Sequence, residues 1–351
     1  EGPYDARQGD FAVAGSAKFD LGLRQRGVTL RSGYGSFNTA RALIMWGPKR
    51  QSEGTFVAGD YKRSDGFGVN RSSTSARLWG SFEHNFGDGL TLRARTWAHA
   101  ARWDQAGVIR LDDFEDRAVP DCGTSFDEQF FCSYDPNQGG SSVRTGGSLA
   151  LHKHLEAGDY EQRVWVLHRN MRILENFTGY LVDVREEGLE QRGDLAEQSY
   201  RALTYGTRGS YRLSRQWWRR PQDFELGFGL RYDDGRGDQR RLRAVTAVPY
   251  KVDFDNQLGV LDLSLFATAT LRPHDRLTFG VGARADFFHF SVVDHDAPDS
   301  DRDGDRLPRD AREATGFAAQ PRLTSGVTLA RWTGWKDETR AAAAGKPSSA
   351  S

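Results

Sequence analysis

Leu261, Leu263, Leu265, Ala267, Ala269 and Leu271 fall on alternate positions, with Asp262, Ser264, Thr268 and Thr270 between them. Shortly afterwards Leu277, Phe279, Val281, Ala283, Ala285 and Phe287 do the same against Thr278, Arg284 and Asp286. Successive side chains of a strand point to opposite faces, so each stretch is a strand with one apolar and one polar wall. The two segments, Leu258–Leu271 and Arg276–Val293, are long. A soluble β-sandwich alternates too, but its strands average about 5–6 residues. A tilted strand that crosses a bilayer needs about 9–11. The expected fold class is all-β: an incomplete antiparallel transmembrane β-barrel of about twelve long strands.

The connections support this by alternating in length. Gly87-Asp88-Gly89, Glu156-Ala157-Gly158-Asp159 and Arg272-Pro273-His274-Asp275 are tight turns. Between them come long polar stretches at Asp104–Ser141, Phe177–Ser199, Asp233–Gln257 and Asp294–Gly316. Outer-membrane barrels carry short turns on the periplasmic side and longer loops outside. Strands are expected at Val28–Tyr34, Asn38–Trp46, Thr55–Arg63, Thr74–Phe86, Leu90–Trp103, Ser142–Leu155 and Tyr160–Asn176. Five more follow at Tyr200–Leu213, Asp223–Tyr232, Leu258–Leu271, Arg276–Val293 and Phe317–Arg331. No fixed period repeats, which argues against a propeller or solenoid. If the first strand runs outward, Trp46, Phe86, Trp217-Trp218, Trp332 and Trp335 all fall at the periplasmic interface, where amphipathic rings prefer to sit.

Composition excludes other classes. Apolar residues make up 38% of the chain, too few for helical spans that each need about 20 consecutive apolar residues. The formal net charge is zero, so no nucleic-acid partner is expected. The chain opens at Glu1-Gly2-Pro3 in mid-pattern with no signal peptide, and is read as a fragment.

Four groups of residues could carry chemistry. Asp299, Asp301, Asp303 and Asp305 surround Gly304, with Asp310 further on; carboxylates at alternate positions about a sharp turn suit a hard cation such as calcium. The spacing matches the start of an EF-hand loop, but Arg306 interrupts it and strand-like segments flank it. The bland reading is a solvated acidic loop with no cofactor. Cys122 and Cys132 are the chain's two cysteines; in an extracytoplasmic protein they are expected to form a disulfide that stiffens a loop tip. Arg93, Arg95, Trp97, Trp103, Arg208, Arg231 and Arg284 crowd loops and inward faces, where they would meet an anionic solute, a plug, or simply neighbouring acids. His152 and His154 share a strand face, a weak metal pattern. No Ser-His-Asp order, P-loop, HExxH or CxxC occurs, so no enzyme is expected; an outer-membrane hydrolase would need a nucleophile constellation.

The first residues add a resemblance. Gly2, Pro3, Gly9 and Gly15, followed by Val28–Trp46 with Tyr34-Gly35-Ser36-Phe37, resemble the plug-to-barrel junction of a TonB-dependent outer-membrane receptor. Pro321-Arg322-Leu323 is similar to a strand of such receptors, and the likeness runs to about Arg331. Glu1 stands where the family often has a basic residue. The resemblance implies that residues 1–26 end a plug domain and 27–331 form the N-terminal part of a transmembrane barrel. Residues 332–351 are then a disordered or aberrant tail. It implies an importer of a scarce small-molecule ligand, such as a siderophore or cobalamin, resident in the lipid of the bacterial outer membrane and energised by TonB. The TonB-contacting segment is then absent from these residues. Half a barrel leaves open strand edges, which lipid does not tolerate, so this stretch is not expected to form a stable pore alone. The alternative is a passive porin-like or adhesin-like barrel.

Overall fold

A computed structural model describes residues 6–7, 19, 21–119, 122–133, 135–176, 183–184, 191–192, 194–217, 219–243, 246–295 and 312–327. Its first seven strands are β1 (Gly27–Gly35), β2 (Thr39–Gly47), β3 (Phe56–Ser64), β4 (Ser73–Gly87), β5 (Leu90–Asp104), β6 (Gly139–Leu155) and β7 (Gly158–Glu175). A two-residue hairpin, β8 (Asp183–Val184) and β9 (Gln191–Arg192), follows. Then come β10 (Asp194–Trp217), β11 (Arg220–Arg243), β12 (Pro249–His274), β13 (Leu277–Asp294) and β14 (Arg312–Val327). All but β8 and β9 make one antiparallel sheet of 12 strands in chain order. It does not close among the described residues: β1 and β14 each have one neighbour.

Register carries the alternation seen in sequence across the whole sheet. Val28 pairs with Trp46, and Trp46 with Val57. Phe82 pairs with Ala94, Ala94 with Leu149, and Leu149 with Val164. Leu226 pairs with Ala267, Ala267 with Ala283, and Phe287 with Phe317. These residues share one face, and it is the exposed one: Leu265 is 64% exposed and Leu226 66%. The opposite face carries Ala6 and Arg7, and its most buried polar residues lie near them: Asp286 is 1% exposed and Arg284 7%. A sheet designed for water would cover its leucines and expose its aspartates. Rings border the apolar belt at both ends, Trp217 against Phe224 at the short-turn end and Tyr205 against Tyr232 at the loop end, each 5.4 Å between centroids. From Phe224 to Tyr232 the belt is roughly 20 Å tall at about 3.4 Å per residue and a tilt of about 40°.

The short turns need backbone that few side chains adopt. Gly87, Asp88 and Gly89 all have positive φ (87°, 47° and 72°), as does Arg219 between β10 and β11 (59°). Glycine takes this conformation without steric cost.

One expected loop is mostly strand, and a second is partly so. Asp233–Gln257 was read as a loop, but β11 continues to Arg243 and β12 starts at Pro249. Phe177–Ser199 is also shorter as a loop, because β10 starts at Asp194. The charges that suggested loops are cross-strand ion pairs on strands extending beyond the belt. Arg236 donates to both Asp255 oxygens (2.7 and 2.5 Å), and Arg241 to Asp253 (2.6 Å). The bond from Arg236, helped by its charge and opposed by burial, holds the Asp255 carboxyl below the usual range. A depressed folded pKa adds stability above the unfolded value, about 3.9, and loses it as pH falls through the folded one. Acidification below about pH 4 is therefore expected to loosen this hairpin first. Amide exchange in 236–243 and 249–256 should rise before exchange in the belt; uniform change would contradict it.

The loop between β5 and β6 is built rather than open. It contains α1 (Leu111–Glu115) and α2 (Phe126–Phe130). Ser125 caps α2: its hydroxyl accepts from the Glu128 amide, and the Glu128 carboxylate accepts from the Ser125 amide. The structure pairs Cys122 with Cys132 at 6.1 Å between Cα atoms. Asn70, from the loop after β3, donates to the carbonyls of Gln105 (2.8 Å) and Gln138 (3.0 Å). Phe37, Phe67, Phe131, Phe130 and Phe114 contact one another in sequence, which joins three loops through rings. Reducing the disulfide is expected to cost the loop roughly 2–3 kcal/mol in the chain-entropy model. Hydrogen exchange should then accelerate in 111–130 and stay unchanged in the sheet.

Candidate functional site: the inner wall

The inner face of β4 to β13 brings together tryptophans, glycines and arginines that are far apart in sequence. Trp79 and Trp97 stack at 5.6 Å across β4 and β5. Trp97 lies over Gly146 of β6, and Trp165 of β7 lies over Gly206 of β10. A Cβ on either glycine would come within 2.6 and 2.5 Å of the indole, so these positions exclude any side chain. Trp103, nearer the loop end, covers Gly140 in the same way. The result is a wall of indoles lying flat, with guanidinium groups between them.

Five of the arginines are held by carboxylates that face the same way. Arg284 pairs with Asp286 (2.6 Å), Arg212 with Glu225 (2.9 Å), and Arg93 with Glu83. Asp233 serves two arginines, Arg231 (2.7 Å) and Arg169 (3.3 Å). Arg208 donates to the Arg7 carbonyl (2.9 Å) and lies 5.4 Å from the Phe266 ring. Arg7 lies 4.0 Å from Glu225. Three cavities meet at Arg7. The one bounded by Trp79, Trp97, Trp165, Arg95 and Arg163 is about 700 Å³. A second, of about 600 Å³, runs toward Arg322. A third, of about 140 Å³, lies between Arg208, Arg231 and Arg284.

Arg95, Trp97, Arg208, Arg231 and Arg284, singled out in the sequence, thus line one surface. Arg93 sits lower on it, and Trp103 higher. Trp79, Arg163, Trp165 and Arg212 belong there as well and were missed. For Trp165 the signal is a Trp on a polar face opposite Gly206 in the next strand, and it needs the register to be read. His152 and His154 are at the short-turn end, 3.7 and 2.8 Å from Asp159. No group of three His, Cys, Asp or Glu among the described residues is placed to hold a metal. Asp299, Asp301, Asp303, Asp305 and Asp310 lie outside the described residues, as do Trp332 and Trp335.

No family model and no curated protein matches the chain. Solved structures do. The ferric citrate transporter FecA superposes with a TM-score of 0.60 at 14% identity, over 86% of this chain and 41% of its own. The copper transporter OprC gives 0.61 at 13%, over 94% and 48%. The ferric yersiniabactin uptake receptor FyuA from Yersinia pestis gives 0.58 at 12%, over 88% and 46%. The chain has the fold of the TonB-dependent outer-membrane receptors. It spans less than half the length of each of these three receptors. Barrels of that fold carry an apolar band on the outside and a polar interior, and the belt and the Arg–Trp wall of this sheet lie on the corresponding faces.

Proposed function

We propose that the chain is the N-terminal part of the barrel wall of an outer-membrane receptor that takes up a scarce solute with energy from TonB. One observation supports this most: an apolar belt faces outward all round the sheet, while the inward face is a charged wall against which Ala6 and Arg7 pack. A lumen wall that binds a segment of its own chain suits a plugged barrel better than an open pore. FecA, FyuA and OprC are named for transport or uptake, which supports the same reading. The solute would be a bulky one, admitted past the loops and released when the plug rearranges.

The alternative is a passive porin-like barrel, and energy dependence separates the two. Uptake of candidate iron chelates, cobalamin and sugars would be measured in cells with and without the gene, before and after a proton uncoupler. Gene-dependent uptake that collapses with the uncoupler is expected. Gene-dependent uptake that survives it would establish the passive barrel instead.

A further inference from the structure

The outward belt is grooved where β10 to β13 approach their short turns. Register sets Leu213, Phe224, Ala269 and Val281 in one row and Tyr211, Leu226, Ala267 and Ala283 in the next. The alanines are short, and Phe224, Leu226 and Val281 stand beside them, which leaves a groove of about 460 Å³. Arg215 lies four residues beyond Tyr211 on the same outward face of β10, about 14 Å along the strand. On a strand tilted by about 40° that is a rise of roughly 10 Å, less than half of an apolar band about 25 Å tall. The groove therefore belongs to the half of the belt next to the short turns.

The two turns at its mouth carry more positive charge than they use. Between Ser214 and Asp223, and between Arg272 and Leu277, there are five arginines and two aspartates. Asp275 pairs with Arg220 and Asp223 with Arg272, each at 2.8 Å. Arg220 also donates to the Pro273 carbonyl (3.1 Å), which joins the two turns. Both carboxylates are thus taken. Among the described residues Arg215, Arg219 and Arg276 have no carboxylate partner, and all three are exposed. The neighbouring turn between β6 and β7 does not offset them. Lys153 and Glu156 cancel, and Asp159 lies on the inward face beside His152 and His154.

Unpaired guanidinium groups at the end of an apolar groove suit a molecule with a negative head and an apolar tail. An arginine at a membrane edge covers apolar surface with its stem and sends its charge to the headgroup level. Each basic side chain there favours an anionic lipid by roughly fivefold. Trp217, exposed and packed against Phe224, stands at the same level, where indole rings mark the interface. We propose that this part of the wall holds an anionic phospholipid of the leaflet on the short-turn side. Its acyl chain lies in the groove, and its phosphate sits among Arg215, Arg219 and Arg276. The site rests on the belt meeting lipid; it is independent of the solute carried and of how uptake is energised.

Photocrosslinking in the complete receptor tests it. Vesicles of unlabelled phosphatidylcholine receive a trace of phosphatidylglycerol or of phosphatidylcholine, each with the same diazirine-tagged acyl chain, and crosslinked peptides are mapped by mass spectrometry. Phosphatidylglycerol is expected to label 211–226 and 267–283 at least roughly fivefold above phosphatidylcholine. The excess should disappear in the triple variant Arg215→Gln, Arg219→Gln, Arg276→Gln. It should also disappear in Ala269→Phe, which fills the groove and keeps the belt apolar. Arg201→Gln, outward at the loop end, should leave it intact. Equal labelling by the two lipids, an excess that survives in either folded variant, or an equal loss in Arg201→Gln would overturn the proposal. If neither lipid labels these segments, the belt does not meet lipid, and the membrane reading falls as well.

Discussion

Leu265→Arg is expected to block assembly of the barrel, although Leu265 is one of the most exposed leucines in the chain. Its side chain lies in the middle of the belt on β12, 64% exposed, and pairs with Phe228 and Ala285. In water a charge at such a site would be harmless. At the bilayer midplane an outward arginine costs a barrel roughly 2–4 kcal/mol, a large fraction of the stability of an ordinary domain. Arg201→Glu is the control. It lies on the same outward face beyond Leu203, and a surface change there is expected to stay within about 0.5 kcal/mol. The readout is the heat-modifiable band of folded barrel in unboiled gel samples from outer-membrane fractions. Loss of that band for Leu265→Arg and its retention for Arg201→Glu is the expected result. Equal folding of both would mean that the belt does not meet lipid.

Asp286→Ala is expected to have the largest effect on the inner face. Asp286 accepts from Nε of Arg284 at 2.7 Å, with a second bond from Nη2 at 2.6 Å. Both side chains are buried, so removing the carboxylate leaves a covered guanidinium without its counter-charge. Breaking a buried pair this way costs about 3–5 kcal/mol. Replacing both partners with leucine removes the uncompensated charge and should recover most of the loss. The urea midpoint of the reconstituted receptor is the measurement. A double variant no more stable than Asp286→Ala would show that the charge itself is not what matters.

The sheet was legible in the sequence because one physical rule governs all of it. Leu261 to Leu271 and Leu277 to Phe287 alternate with Phe266 the one large apolar residue on the polar face, and tight turns such as Gly87-Asp88-Gly89 punctuate them. The rule fails where the solvent changes. Beyond Tyr232 the outward residues become Asp234, Arg236 and Asp238, and a reader tracking greasy alternation sees a charged loop. Cross-strand pairs such as Arg236–Asp255 hold that segment as strand, and they become visible when the partner strand is known. The inner wall was half legible for a related reason. Arg95, Trp97 and Arg208 stand out as polar or aromatic residues on inward positions. The packing of Trp165 over Gly206 depends on a pairing between residues far apart in sequence, which composition does not encode. The calcium-like run at Asp299–Asp310 is a local pattern and gains nothing from the described part of the sheet.

Spin labels placed in turn at positions 261 to 266 of β12 would test the orientation of the sheet most directly. Oxygen concentrates in lipid and a nickel chelate stays in water, so their collision rates report which solvent each label meets. Labels at 261, 263 and 265 should collide mainly with oxygen, and those at 262, 264 and 266 should be sheltered from it. The opposite phase, or no alternation, would mean that the leucines face each other across a dry core and that no membrane surrounds this sheet.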